Sequence, residues 1–173
     1  MMDNSLLKKI QLLLMDVDGV LTTGQIIYDD DGREIKIFHV RDGLGIRLLI
    51  DAGITVGIIT GRRSKALVHR CRNLGIDLLK DGISDKAAAL MEILSETGIP
   101  AEHTAFVGDD LPDLPILRRV GVPIAVADSH EAVRSAASWI TQSMGGKGAV
   151  REIAERLLAA RGDWQTLLEK RFS

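Results

Sequence analysis

The sequence has one cysteine, Cys71, among 173 residues, which excludes a framework of intrachain disulfides. Cys71 lies in a helical pattern with Leu67 and Leu74, the setting of a small buried side chain rather than of a nucleophile. An excess of either charge is also missing. There are 22 Lys and Arg against 24 Asp and Glu, for a net charge of −2 and a sequence pI of about 6.1. No electrostatic footprint for nucleic acid follows from that balance, and no polybasic patch for a membrane surface. Long apolar runs are lacking as well. The stretch from Ile10 to Met15 is interrupted by Gln11 and stopped by Asp16, far short of a membrane span, and no cleavage site follows it. Internal repeats and low-complexity segments are absent. The expectation is a cytoplasmic protein that binds neither nucleic acid nor membrane.

What is present is an ordinary globular mix, 46% hydrophobic and 27% charged. The length predicts one domain over residues 1–173, with room for a sizeable core. Apolar strands alternate with amphipathic helices. Strands are predicted at Leu12–Met15, Ile54–Thr60, Ile76–Leu79, Thr104–Val107, Ile124–Ala127 and Trp139–Thr141. Helices are predicted at Gly43–Ala52, Ser64–Leu74, Asp85–Thr97, Leu114–Val120, His130–Ala137 and Val150–Ala160. Such alternation argues an α/β fold, a doubly wound parallel sheet with crossover helices. One segment breaks the pattern. Residues 25–40 (QIIYDDDGREIKIFHV) hold two β-rich runs around Asp31-Gly32, a hairpin signal. The hairpin carries Ile26, Ile27, Tyr28, Ile35, Ile37 and Phe38, side chains that need a surface to cover. A neighbouring subunit is one such surface, and the hairpin's own domain is the other. The tail over residues 162–173 reads three ways: an extension of the last helix, a docked segment or a frayed end.

In open α/β sheets, ligands bind beyond the carboxyl ends of the strands. The first strand here runs into Asp16 and Asp18, the second into Thr60 and Gly61. The "GDDLPD" stretch brings Asp109, Asp110 and Asp113, and Lys86 opens a helix. Each group alone has an ordinary role as a turn, cap or solvated residue. Together they form a cluster of carboxylates that repel one another unless a cation intervenes. An all-oxygen set with no nearby His or Cys suits Mg²⁺ and disfavours zinc. A lysine, a hydroxyl and glycine N–H groups at the same place suit a phosphate.

"DVDGVLT", "IITGR", Lys86 and "GDDLPD" resemble the four ordered motifs of the haloacid dehalogenase (HAD) superfamily of phosphatases. With "FHVRDGLGIRLL", residues 124–133 and "GGKGAVREI", the resemblance extends over nearly the whole chain to the 3-deoxy-D-manno-octulosonate 8-phosphate (KDO 8-phosphate) phosphatase family. The resemblance implies a capless phosphoric monoester hydrolase of lipopolysaccharide precursor synthesis. It implies Mg²⁺ as cofactor, a small-molecule sugar phosphate as substrate, and a homo-oligomer, a tetramer, assembled through the hairpin. It places Asp16 as nucleophile and Asp18 as general acid/base and, through its carbonyl, metal ligand. Thr60 and Lys86 would hold the phosphoryl group. Asp16 and Asp109 would ligate the metal, with Asp110 and Asp113 in support. The substrate would meet Asp18, Thr60, Gly61, Arg62 and Lys86, the loop His39, Val40, Arg41, Asp42 and Gly43, and Arg47 and Arg70. The C-terminal segment would reach toward a neighbour's site. Two positions depart from the family pattern: His39 stands where Asn is usual, and Thr23 where Asp is common. Three alternatives remain. A phosphatase of 2-keto-3-deoxynononate 9-phosphate shares the fold and hairpin. Receiver domains also accept phosphate on a strand-end Asp but lack the acid two residues on, so Asp18 argues for turnover. A non-catalytic regulatory relative is disfavoured by intact Asp16, Asp18, Lys86 and Asp109.

Overall fold

Every side chain of Leu12–Met15 is buried, and the four alternate between two cores. Leu13 and Met15 enter one apolar cluster and Leu12 and Leu14 the other, the behaviour of a central strand covered on both faces. In this computed structural model, which describes residues 4–172, Leu12–Met15 is β1. The other strands are β2 (Ile27–Tyr28), β3 (Glu34–Ile35), β4 (Thr55–Ile59), β5 (Leu78–Lys80), β6 (Thr104–Gly108), β7 (Val122–Ala125) and β8 (Trp139–Ile140). The helices are α1 (Asn4–Leu7), α2 (Val40–Asp51), α3 (Lys65–Leu74), α4 (Lys86–Thr97), α5 (Leu114–Leu117), α6 (Glu131–Ala136), α7 (Ala149–Arg161) and α8 (Trp164–Phe172). Met1, Met2, Asp3 and Ser173, the ends of the expected domain, lie outside the described residues.

Six strands form one parallel sheet in the order β5-β4-β1-β6-β7-β8. From β1 the chain builds outward through β4 and β5, then crosses back to lay β6 on the other side. The carboxyl end of β1 is therefore the point where the winding reverses, the place such sheets leave open for a ligand. Helices α1, α2, α3 and α7 cover one face through Leu7, Leu48, Leu67 and Ile153. Helices α4, α5 and α6 cover the other through Leu90, Ile116 and Val133. Cys71 is buried in the first of these cores. Burial first, then the charge of Asp81, pushes its thiol up to about 11, so it is no nucleophile at neutral pH. Among the described residues no helix is long and apolar enough to cross a membrane.

Several boundaries shift for local reasons. Helix α2 starts at Val40, three residues before the expected Gly43, with His39 extended in front of it. Ile76 is expected in β5, but its N–H bonds to Cys71 O and closes α3 over left-handed Gly75, so the strand starts at Leu78. Helix α4 matches the expected range, with the Asp85 side chain accepting from Ala88 N at 3.0 Å. The α1 turn was not anticipated.

The hairpin is small. β2 and β3 pair antiparallel over two residues each, and the Asp29 side chain ties the turn by accepting from the N–H groups of Asp31 and Arg33. Its two faces differ. Phe38 packs on the core, whereas Ile35 and Ile37 are exposed on the other face; Ile26 and Tyr28, on the Glu34 side, are exposed as well.

Of the three readings of the tail, α8 takes that of a docked segment. Trp164 and Leu167 of α8 pack against this chain's own core. The Arg151 guanidinium lies 5.5 Å from the centre of the Trp164 ring, and Arg171 pairs with Asp51. Apolar burial and these charges dock the helix in place. The "GGKG" loop is engaged within the chain too. Gly146 N donates to Val20 O at 2.8 Å, and a Cβ on Gly145 would come within 1.6 Å of Gly19 O. Glycine is required at 145 for close backbone approach to the loop after β1.

Candidate active site

Asp16 continues the ladder of β1: its N–H donates to Val107 O at 3.1 Å. The chain then turns tightly, with the N–H groups of Val20, Leu21 and Thr22 all directed at Val17 O. Gly19 makes the turn possible at φ +93°, and a Cβ there would lie 2.0 Å from Asp109 Oδ2. Only glycine meets both conditions. The turn sets Asp16 and Asp18 at the mouth of the sheet.

Other strand ends supply the rest. Thr60 follows β4 and is 2% exposed. Its N–H bonds to Lys80 O and its carbonyl accepts from Ile83 N, which draws the residues before α4 toward the mouth. Lys86 opens α4 and is almost fully buried. Its Nζ lies 2.6 Å from Asp113 Oδ1 and 3.0 Å from Asp16 Oδ1. After β6, Asp110 and Asp113 cap the short turn Leu111–Asp113 reciprocally. Asp113 Oδ2 accepts from Asp109 N at 2.9 Å and from Asp110 N at 3.4 Å. Both oxygens of Asp113 are thus engaged, and its work is to hold Lys86 and the Asp109 loop.

These groups line one cavity of about 510 Å³, together with Gly24, Gly61, Arg62, Ile83, Ser84 and Pro112. Carboxylate oxygens of Asp16, Asp109 and Asp113 lie within 4.8 Å of one another. Burial, with the charge of Asp113 added, pushes the Asp16 carboxyl up to about 6 against the pull of Lys86. Burial, then the charges of Asp113, Asp16 and Asp110, pushes Asp109 up to about 8. Burial works against the charge of Lys86, but Asp16 and Asp113 outweigh it and raise its pKa. Asp109 Oδ1 is buried with no hydrogen-bond partner, and Asp16 Oδ1 meets only the Lys86 ammonium. An orphaned Asp109 oxygen among mutually repelling carboxylates fits a hard divalent cation.

The other expected substrate residues lie elsewhere in this chain. His39, Val40, Arg41, Asp42 and Gly43 sit at the start of α2 and do not line the cavity. The Asp42 carboxylate is engaged by Arg151 N at 2.8 Å and Gly148 N at 3.3 Å, latching α2 to α7. His39 Nδ1 lies 3.9 Å from Asp42 Oδ2. Val40 is 78% exposed, and Arg41 is exposed. Arg47 donates to Asn73 O. Arg70 stands 5.7 Å from the centre of the Phe38 ring, and its guanidinium fills the space a Cβ on Gly43 would need. Thr23, the other departure from the family pattern, bonds Gln25 at 3.3 Å on the surface.

Sequence reasoning missed a group that the hairpin brings in. Lys36 Nζ lies 2.5 Å from Asp18 Oδ1 and 3.5 Å from Glu34 Oε1. Arg62 bridges the same parts, donating to Glu34 at 2.8 Å and to the Tyr28 hydroxyl at 3.2 Å, with its Nε 3.7 Å from Asp18 Oδ2. The alternation of Glu34 and Lys36 with Ile35 and Ile37 was a signal for a two-faced strand, but not for what lies under it.

Known proteins share the sequence and the fold over most of the chain. Residues 76–153 match the family model of haloacid dehalogenase-like hydrolases. The chain is 46% identical over 155 residues to the KDO 8-phosphate phosphatase of Escherichia coli strain K12, covering 90% of this chain and 82% of that one. The crystal structure of the Yersinia pestis KDO 8-phosphate phosphatase superposes with a TM-score of 0.92 at 44% identity, covering 94% of this chain and 88% of that one. That of the Moraxella catarrhalis enzyme, in complex with magnesium, phosphate and KDO, superposes at 0.94 with 42% identity and 96% of both chains covered. The fold that carries Asp16 to the reversal point of the sheet is therefore the HAD Rossmann-like fold, and the chain belongs to the KDO 8-phosphate phosphatase family.

Proposed function

We infer that the protein is a Mg²⁺-dependent phosphatase that hydrolyses KDO 8-phosphate to KDO and inorganic phosphate. The observation that carries the chemistry is the meeting of Asp16, Asp18, Thr60, Lys86 and Asp109 in one cavity. Asp16, Asp109 and the Asp18 carbonyl would hold magnesium, whose positive charge would let an anionic carboxylate approach an anionic phosphate. Lys86 adds a second positive charge beside Asp16, and Thr60 offers a hydroxyl to the phosphoryl oxygens.

The reaction has two displacements. An Asp16 oxygen attacks phosphorus, the bond from phosphorus to the sugar oxygen breaks, and Asp18 gives that oxygen its proton. Asp18, now a carboxylate, takes a proton from water as the water oxygen attacks phosphorus. The bond to Asp16 breaks and phosphate leaves. Phosphate release from KDO 8-phosphate, measured with Mg²⁺ and after exhaustive chelation, tests this reading. Activity is expected to vanish with chelation and return with Mg²⁺. Full activity in chelated protein would contradict it.

We propose further that the protein is a homo-oligomer, a tetramer. Ile35 and Ile37 on one face, and Ile26 and Tyr28 beside the other, are exposed apolar side chains on a hairpin too small to stand alone, and closed assembly would bury them. In the proposed assembly, Arg41, Arg47 and Arg70 reach the sugar acid from a second copy, since in their own chain they stand away from the cavity. Ile35→Glu combined with Ile37→Glu is expected to reduce the mass seen by light scattering to that of a monomer and to lower activity. A wild-type monomer with full activity at assay concentration would contradict the assembly while leaving the chemistry standing.

A further inference from the structure

Lys36 is nearly inaccessible: its side chain is 3% exposed. Lysine is almost never buried without a charged partner, and here the partners are Asp18 at 2.5 Å and Glu34 at 3.5 Å. The hairpin places it there by strand alternation. Ile35 and Ile37 point outward at 46% and 67% exposure, so Glu34 and Lys36 point inward. Lys36 does not line the catalytic cavity, whereas Asp18 and Arg62 do. A substrate in the cavity meets Asp18, and Lys36 stands behind it.

The other holds on Asp18 are weaker. The Thr22 hydroxyl is 3.5 Å from Oδ1 and the Arg62 Nε 3.7 Å from Oδ2. The short Lys36 contact therefore sets the direction in which the carboxyl faces. We infer that Lys36 is a positioning residue for the phosphoryl transfer: it aims the Asp18 carboxyl at the oxygen of the leaving sugar. The inference rests on the role of Asp18 given above. A proton donor misaimed by a fraction of an ångström loses much of its effect, and the loss falls on esters whose leaving oxygen needs a proton.

The test compares three esters: KDO 8-phosphate, glucose 6-phosphate as an alkyl phosphate without a carboxylate, and p-nitrophenyl phosphate, whose phenolate departs unprotonated. Their kcat/KM values report the transfer to Asp16. Lys36→Met is expected to lower kcat/KM by about tenfold or more on both alkyl esters and by less than about threefold on p-nitrophenyl phosphate. Lys36→Arg is expected to restore most of the loss. Lys36→Gln, measured in the same way, serves if the Met variant does not fold. An equal loss on all three esters would mark a merely structural residue, and a loss confined to KDO 8-phosphate would mark a contact to the sugar acid. Either result, or no loss at all, overturns the inference. A wild-type protein inactive on all three would instead overturn the phosphatase reading, and this role with it.

Discussion

Asp16→Asn is expected to lower phosphate release by at least about a thousandfold, because an amide oxygen cannot form the covalent intermediate. The same change is expected to raise thermal stability of the metal-free protein. Asp16 is buried beside Asp113, and its carboxyl is pushed up to about 6. A carboxyl raised above its unfolded value favours the fold when protonated, and that contribution is lost as pH rises through about 6. At pH 8 the charged Asp16 is therefore a strain on the fold that asparagine removes. Activity and stability move in opposite directions, the pattern of a residue kept for chemistry. Paired measurements of kcat and Tm at pH 8 check both. A variant that keeps more than about a tenth of the wild-type kcat would exclude Asp16 as the nucleophile.

Lys86→Met is expected to damage both properties together. Lys86 is the buried cation against Asp16 and Asp113. Without it the carboxylates face each other in a poorly hydrated site, and removing one partner of a buried pair costs about 3 kcal/mol. Turnover is expected to fall at least about a hundredfold, since a donor to the transferring phosphoryl group is lost. The stability loss has a pH signature in metal-free protein. Removing the lysine raises the Asp16 carboxyl further above its unfolded value. Protonation at low pH relieves the repulsion, and ionisation at high pH restores it. Urea midpoints at pH 5 and pH 8 are expected to show the larger penalty at pH 8. Equal penalties at both would mean that Lys86 stabilises through packing alone.

The parts legible in the sequence were those fixed by local pattern. Asp16 and Asp18 follow a strand whose four residues are apolar on both faces, and Lys86 follows a capping Asp85. The close approach of Asp109 that demands glycine at position 19 depends on β6 lying beside β1, which no local pattern encodes. The contact of Lys36 with Asp18 spans the fold-back of the hairpin, and no spacing rule encodes it. Asp42 shows the converse. It lies in a stretch that resembles a substrate loop, yet its carboxylate is engaged by Gly148 and Arg151 more than a hundred residues away. The tail kept three readings open because Trp164 and Leu167 show an apolar face without showing which core it meets.

In the proposed reaction the eight-carbon sugar acid phosphate is hydrolysed at the Asp16 cavity. The most direct test is phosphate release by the Mg²⁺-loaded protein from KDO 8-phosphate and from 2-keto-3-deoxynononate 9-phosphate under identical conditions. The prediction is turnover of KDO 8-phosphate with a kcat/KM at least about tenfold above that for the nine-carbon ester, the scale on which pocket contacts discriminate close analogues. No release from KDO 8-phosphate, or a preference for the nine-carbon ester, would contradict it.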